Sequence, residues 1–154
     1  IVYTPIHGSG VEIVPEFLAK LGFENVYHVP EQDVVDGNFP TVKSPNPEEK
    51  EGFTLAIDIA KENDVDIIIG TDPDCDRVGI AVNDGGEYKL MTGNEVGALL
   101  VDYVLSGRKA NGTLPKNPVA VKTIVTTELA AKIAAKESGF KKGEIYRLLI
   151  EEEE

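Results

Sequence analysis

The sequence predicts an α/β domain, and three observations carry that expectation. Short apolar runs rich in Val and Ile alternate along the chain with segments of helical periodicity. Asn and Gly punctuate the joins between them. Third, the apolar run Val65, Ile67, Ile68, Ile69 leads straight into Gly70-Thr71-Asp72-Pro73-Asp74-Cys75-Asp76-Arg77, and a second run, Val78, Ile80, Val82, leaves it. That is a strand, a tight acidic loop and another strand.

The elements follow in order. Ile1 to Tyr3 reads as a strand end, and Thr4-Pro5-Ile6-His7-Gly8-Ser9-Gly10 as a glycine-containing turn. Val14, Phe17, Leu18 and Leu21 stand at i, i+3, i+4, i+7, the stripe of a helix. Pro15 is tolerated only in a first turn, which sets the regular part near Ile13, and Gly22 suits its C-terminal cap. Val26 to Val29 is a short strand. The irregular stretch Pro30 to Pro47 exceeds the roughly 12–15 residues beyond which loops tend to be functional or disordered. Asn46-Pro47-Glu48-Glu49 opens the next helix, with a capping Asn, Pro in the first turn and acids at the positive end of the dipole. Its stripe is Phe53, Ala56, Ile57 and Ala60, and Asn63-Asp64 ends it.

Beyond the acidic loop, Asn83-Asp84-Gly85-Gly86 is a hairpin turn, and Tyr88 to Met91 pairs back. Thr92 and Glu95 have capping-box spacing for a helix running to about Leu105. Residues 106–118, rich in Gly, Asn, Lys and Pro, read as a linker. A strand Val119 to Val125, a Thr126/Thr127 cap and a helix Glu128 to Ser138, ended by Gly139, begin a fresh unit. The tail 141–154 ends in four glutamates and matches no pattern.

Composition excludes several function classes. The 154 residues can hold one domain with a real core, or one plus part of another. The formal net charge of -12 argues against a nucleic-acid partner, which demands a basic face. One cysteine excludes an internal disulfide and fits a reducing compartment, the cytoplasm. No apolar stretch approaches the ~20 residues of a membrane span. The chain opens without Met on the apolar run Ile1-Val2-Tyr3, and the expectation is a piece of a longer protein.

Three carboxylates within five residues repel one another, and a bound cation is the simplest relief. Oxygen ligands suit Mg²⁺, Ca²⁺ or Mn²⁺ rather than Zn²⁺. A calcium EF-hand fails, because positions 6 and 12 counted from Asp72 are Arg77 and Asn83 and the flanks are strands. A solvated acidic turn sits poorly behind three isoleucines. An aspartate-nucleophile phosphatase, with Asp-x-Asp ending an apolar strand, remains the enzymatic alternative. A non-catalytic cation-binding domain is the other.

The acidic loop is similar to the Asp-x-Asp-x-Asp-Arg metal loop of the α-D-phosphohexomutases, the phosphoglucomutase and phosphomannomutase superfamily. Asp36-Gly37-Asn38-Phe39-Pro40 with Pro45-Asn46-Pro47-Glu48 resembles the long loop of the family's domain II, and Thr92-Gly93-Asn94 the start of its final helix. The resemblance implies a three-layer α/β/α domain with a mixed, mainly parallel four-stranded sheet over residues 1–105. It implies that 119–140 opens domain III, after Lys122-Thr123-Ile124-Val125-Thr126-Thr127. Pro73 and Cys75 stand where many members have glycine or alanine.

The implied activity is phosphoryl transfer within a sugar phosphate, by way of a phosphoserine and Mg²⁺. Asp72, Asp74 and Asp76 would be the metal ligands. Arg77 would hold the transferring phosphate as the catalytic residue, with Lys122 and His7 as candidate substrate contacts. The implied partners are a hexose 1- or 6-phosphate and the other domains of the parent chain, with neither nucleic acid nor membrane. The family's phosphoserine segment, its sugar-recognition loop and its distal phosphate-binding loop are not in this sequence, so the chain alone is expected to be inactive.

Overall fold

The computed structural model describes residues 1–116, 119–123 and 125–139; the tail 141–154 lies outside them. The chain divides into two compact units, Ile1–Gly93 and a second beginning at Asn94.

The first unit is an α/β fold on a single mixed sheet. Its strands are β1 (Val2–Thr4), β2 (Tyr27–His28), β3 (Ile67–Thr71), β4 (Val78–Asp84) and β5 (Glu87–Met91), in the order β2-β1-β3-β4-β5. The sheet has five strands where four were implied. β1 pairs in parallel with both β2 and β3, whereas β3–β4 and β4–β5 are antiparallel. The antiparallel share follows from short connections, since only crossover connections can join parallel neighbours. Gly85 and Gly86, both at positive φ, make the two-residue turn between β4 and β5, and Asn83 Oδ1 accepts the Gly86 N–H at 2.8 Å.

α1 (Gly10–Lys20) begins a turn earlier than the expected start near Ile13. Pro15 therefore lies inside it, unable to donate to the Val11 carbonyl. The helix expected to open at Pro47 starts instead as a turn capped by Asn46 Oδ1, which accepts the Glu48 N–H at 3.0 Å. A 3₁₀ turn, Lys50–Phe53, then leads into α2 (Thr54–Glu62). Such tight turns are common at helix starts. Phe53, Ala56 and Ala60 of the expected stripe are buried against Val2, Val29, Val65, Ile68 and Ala81 to form the core.

The long stretch after β2 is pinned rather than loose. Gln32, Val42 and Pro47 are buried. The Gln32 side chain accepts from Thr4 Oγ1 at 2.6 Å and donates to Thr41 Oγ1 at 3.1 Å and to the Gly52 carbonyl at 3.3 Å.

The second unit contains α3 and α4. α3 (Gly93–Ala110) runs past the expected end at Leu105 and takes in the first residues assigned to the linker. Arg108 and Lys109 suit the negative end of its dipole, and Gly112 at φ +66 follows its last turn. Residues 119–123 form no strand, contrary to expectation. A strand needs a neighbour for its backbone groups, and none pairs with this segment among the described residues. α4 (Glu128–Ser138) has the expected bounds. Thr127 accepts the Leu129 N–H at 3.2 Å, and Gly139 closes the helix in the left-handed conformation.

Candidate metal centre

β1 and β3 lie side by side and parallel, so the turns leaving their carboxyl ends meet at one edge of the sheet. That edge is where open α/β sheets usually take ligands. The turn after β3 is the acidic loop. Its backbone folds back through the Cys75 N–H to the Asp72 carbonyl at 2.9 Å, with Cys75 at φ +61.

The turn after β1 buttresses it. The Ser9 N–H and Oγ both donate to the Pro73 carbonyl, at 2.9 and 3.0 Å. A Cβ on Gly8 would stand 2.4 Å from Pro73 Cα, and one on Gly10 would stand 2.3 Å from the Tyr3 hydroxyl. The Tyr3 hydroxyl is itself hydrogen-bonded to Thr71 Oγ1 at 2.9 Å beneath the loop. Sequence reasoning missed this buttress. No local pattern signals it.

Asp72 is buried, whereas Asp74 and Asp76 are exposed. Each offers a carboxylate oxygen, and these oxygens lie within 4.8 Å of one another. Burial alone would raise the Asp72 carboxyl. The Arg77 N–H on Oδ1 at 2.9 Å, the Arg77 Nε on Oδ2 at 2.7 Å and the guanidinium charge outweigh it, so Asp72 sits below the usual carboxylate range. Asp76 moves the other way, pushed up first by the Asp74 charge and then by Asp72. One carboxylate is locked as an anion and the others repel across open space. The donor set fits a hard divalent cation: three convergent oxygens, with no sulfur or imidazole among the three.

Arg77 stands where the sequence put it. Its side chain is 53% exposed and is held by Asp72 and by Asn46 Oδ1, which accepts Nη1 at 3.3 Å. His7, expected as a candidate substrate contact, is engaged within the fold. Its ring is buried, Nδ1 lies 2.8 Å from the Val34 carbonyl, and Nε2 lies 2.8 Å from Thr41 Oγ1. Both nitrogens are spent tying the long loop to the β1 turn, so His7 positions backbone rather than meeting a ligand. Lys122 belongs to the second unit. There its Nζ donates to the Thr123 and Thr126 carbonyls and pairs with Glu128 at 3.2 Å. His28 pairs with Asp33 at 3.1 Å. Asp72, at the place a strand-end nucleophile would take, is buried with both oxygens accepting from Arg77, which lends an aspartate-nucleophile phosphatase no support.

Comparisons with known proteins agree on one family. The family described as "Phosphoglucomutase/phosphomannomutase, alpha/beta/alpha domain II" matches residues 1–86. The chain belongs to the phosphoglucomutase/phosphomannomutase family. It is 43% identical over 135 residues to a phosphoglucomutase of Staphylococcus haemolyticus, covering 87% of this chain and 24% of that protein. It is 36% identical over 148 residues to a phosphomannomutase of Mycoplasmoides pirum, covering 96% and 26%. A crystal structure of a phosphoglucomutase/phosphomannomutase family protein from Burkholderia thailandensis shares the fold, with a TM-score of 0.67 and 22% identity over 89% of this chain and 27% of that one. The chain thus spans about a quarter of the length of these relatives. No helix among the described residues is long and apolar enough to cross a membrane.

Proposed function

We propose that this chain is the metal-loop segment of a cytoplasmic phosphohexomutase, an enzyme that interconverts sugar 1-phosphates and 6-phosphates through a phosphoserine. Residues 1–105 correspond to its second domain, and residues 119–140 to the opening of the third. Asp72, Asp74 and Asp76 would hold Mg²⁺. That ion, when bound, withdraws charge from a phosphoryl group as its P–O bond breaks.

The chain's own residues do the rest of the local work. Asp72 stays ionised under Arg77 and anchors the loop. Asp74 and Asp76, exposed and mutually repelled, gain most from a cation. Arg77 turns fixed N–H donors toward the transferring phosphate and stabilises its oxygens. The phosphoserine and the sugar-reading groups would come from the remaining domains of the parent chain, and the partner is a hexose 1- or 6-phosphate.

The observation that carries this reading is the convergence of three carboxylate oxygens beside a pinned arginine at the sheet edge. Two experiments test it. Mn²⁺ titration followed by EPR should give one site, lost in a triple Asp→Asn variant; equal binding by both proteins removes the claim. In the full-length protein, Arg77→Ala should lower kcat by about 10²–10³-fold with a smaller change in KM. The 154-residue chain alone should show no turnover with a sugar bisphosphate activator. Turnover by it would overturn the division of labour, and an active parent indifferent to Arg77→Ala would remove the arginine's role.

A further inference from the structure

We propose that Asn46 is a positioning residue for Arg77, fixing the rotation of its guanidinium toward the phosphate. This rests on the phosphoryl-transfer reading above. Asp72 holds the guanidinium at one end, through Nε at 2.7 Å. A single bond there leaves the guanidinium plane free to swing about the Cδ–Nε bond, because delocalisation keeps the group itself planar. Asn46 supplies the second point: its Oδ1 accepts Nη1 at 3.3 Å, from a segment 31 residues earlier in the chain. Together the two bonds use a minority of the five N–H donors and leave the others for an oxyanion.

The placement of Asn46 is itself determined by packing. The next residue, Pro47, is buried and lies directly on β4, where a Cβ at Gly79 would stand 1.9 Å from the Pro47 carbonyl oxygen. Gly79 is two residues beyond Arg77, so this contact brings the Asn46 side chain level with the arginine. The same Oδ1 accepts the Glu48 N–H at 3.0 Å, and Nδ2 donates to Glu49 Oε1 at 3.3 Å. The amide is therefore oriented on both sides, with its oxygen toward Arg77. Behind it, His7 and Gln32 hold the loop at Val34 and Thr41. The long loop thus has an assignable role: it carries one acceptor to the metal loop.

The test reads Arg77 directly. In the 154-residue chain, ¹⁵N NMR of the guanidinium measures how fast its Nη groups exchange by rotation. Asn46→Ala should speed that exchange at least tenfold, and Asn46→Asp, which keeps the acceptor, should leave it within twofold of wild type. Ser44→Ala removes another contact of the same turn, to Glu49, without touching Asn46 or Arg77, and should also leave it within twofold. Equal exchange in wild type and Asn46→Ala overturns the proposal, as does an equal effect of Ser44→Ala. In the full-length protein, Asn46→Ala should lower kcat about tenfold with KM within twofold, and should add nothing to Arg77→Ala; an unchanged kcat overturns it. A wild-type parent without mutase activity would sink the functional reading alone, since the exchange measurement needs no turnover.

Discussion

Gly79→Ala is the sharpest perturbation available to this fold. A Cβ there would lie 1.9 Å from the Pro47 carbonyl oxygen, 2.7 Å from its carbonyl carbon and 2.9 Å from its Cβ. Two of the three are backbone atoms, so no side-chain rotation relieves the contact. Ordinary contact requires the loop and β4 to part by about 1.5 Å. Pro47 is buried and Gly79 is paired with Gly70 in the sheet, so neither side yields freely. Overpacking of this kind costs about 1–3 kcal/mol and sometimes more. For a unit of this size that is a fall in Tm of about 5–20 °C. Thermal unfolding followed by circular dichroism measures it. Gly97→Ala is the control: no atom lies within 4 Å of its added methyl, and it sits inside α3, where Ala is favoured over Gly. A Gly79→Ala protein melting within 2 °C of wild type would refute the crossing of the loop over β4, and with it the route by which Asn46 reaches Arg77.

Other outcomes follow from single contacts. Asp74→Asn should weaken Mn²⁺ binding at least tenfold in an EPR titration while leaving Tm nearly unchanged, because Asp74 is exposed. Burial, with smaller contributions from the Cys75 and Asp33 charges, pushes Tyr3 up from 10.0 to about 12, against the Thr71 hydrogen bond. Between those values the folded chain keeps a proton that the unfolded chain releases, so stability falls as pH rises, by roughly 1.4 kcal/mol per pH unit. Urea unfolding at pH 10.5, 11 and 11.5, inside that window, measures the slope, and Tyr3→Phe should reduce it. Trypsin should cut the described residues first after Lys116, in the irregular segment beyond α3, rather than after the helical Arg108 or Lys109. A first cut within α2 would contradict that order.

Some of this protein could be read from local rules because local rules decide it. The acidic loop lies between apolar runs whose β-branched residues pack well in strands, and three carboxylates within five residues are brought together by a tight turn. The bounds of α4 follow from a threonine that caps and a glycine that tolerates φ +79. The β4–β5 turn follows from two adjacent glycines at positive φ. Tertiary structure decided what depends on distant neighbours. His7 looked like a cleft residue, but the long loop folds over it and takes both nitrogens. Segment 119–123 has strand composition and forms no strand, because a strand exists only with a partner. α1 starts early enough to take in Pro15, right after a turn whose Ser9 is hydrogen-bonded to Pro73, 64 residues away. The meeting of Asn46 with Arg77, and the need for glycine at 8, 10 and 79, have no local signature. They arise where segments tens of residues apart are pressed closer than any side chain allows, and only the folded chain brings those segments together.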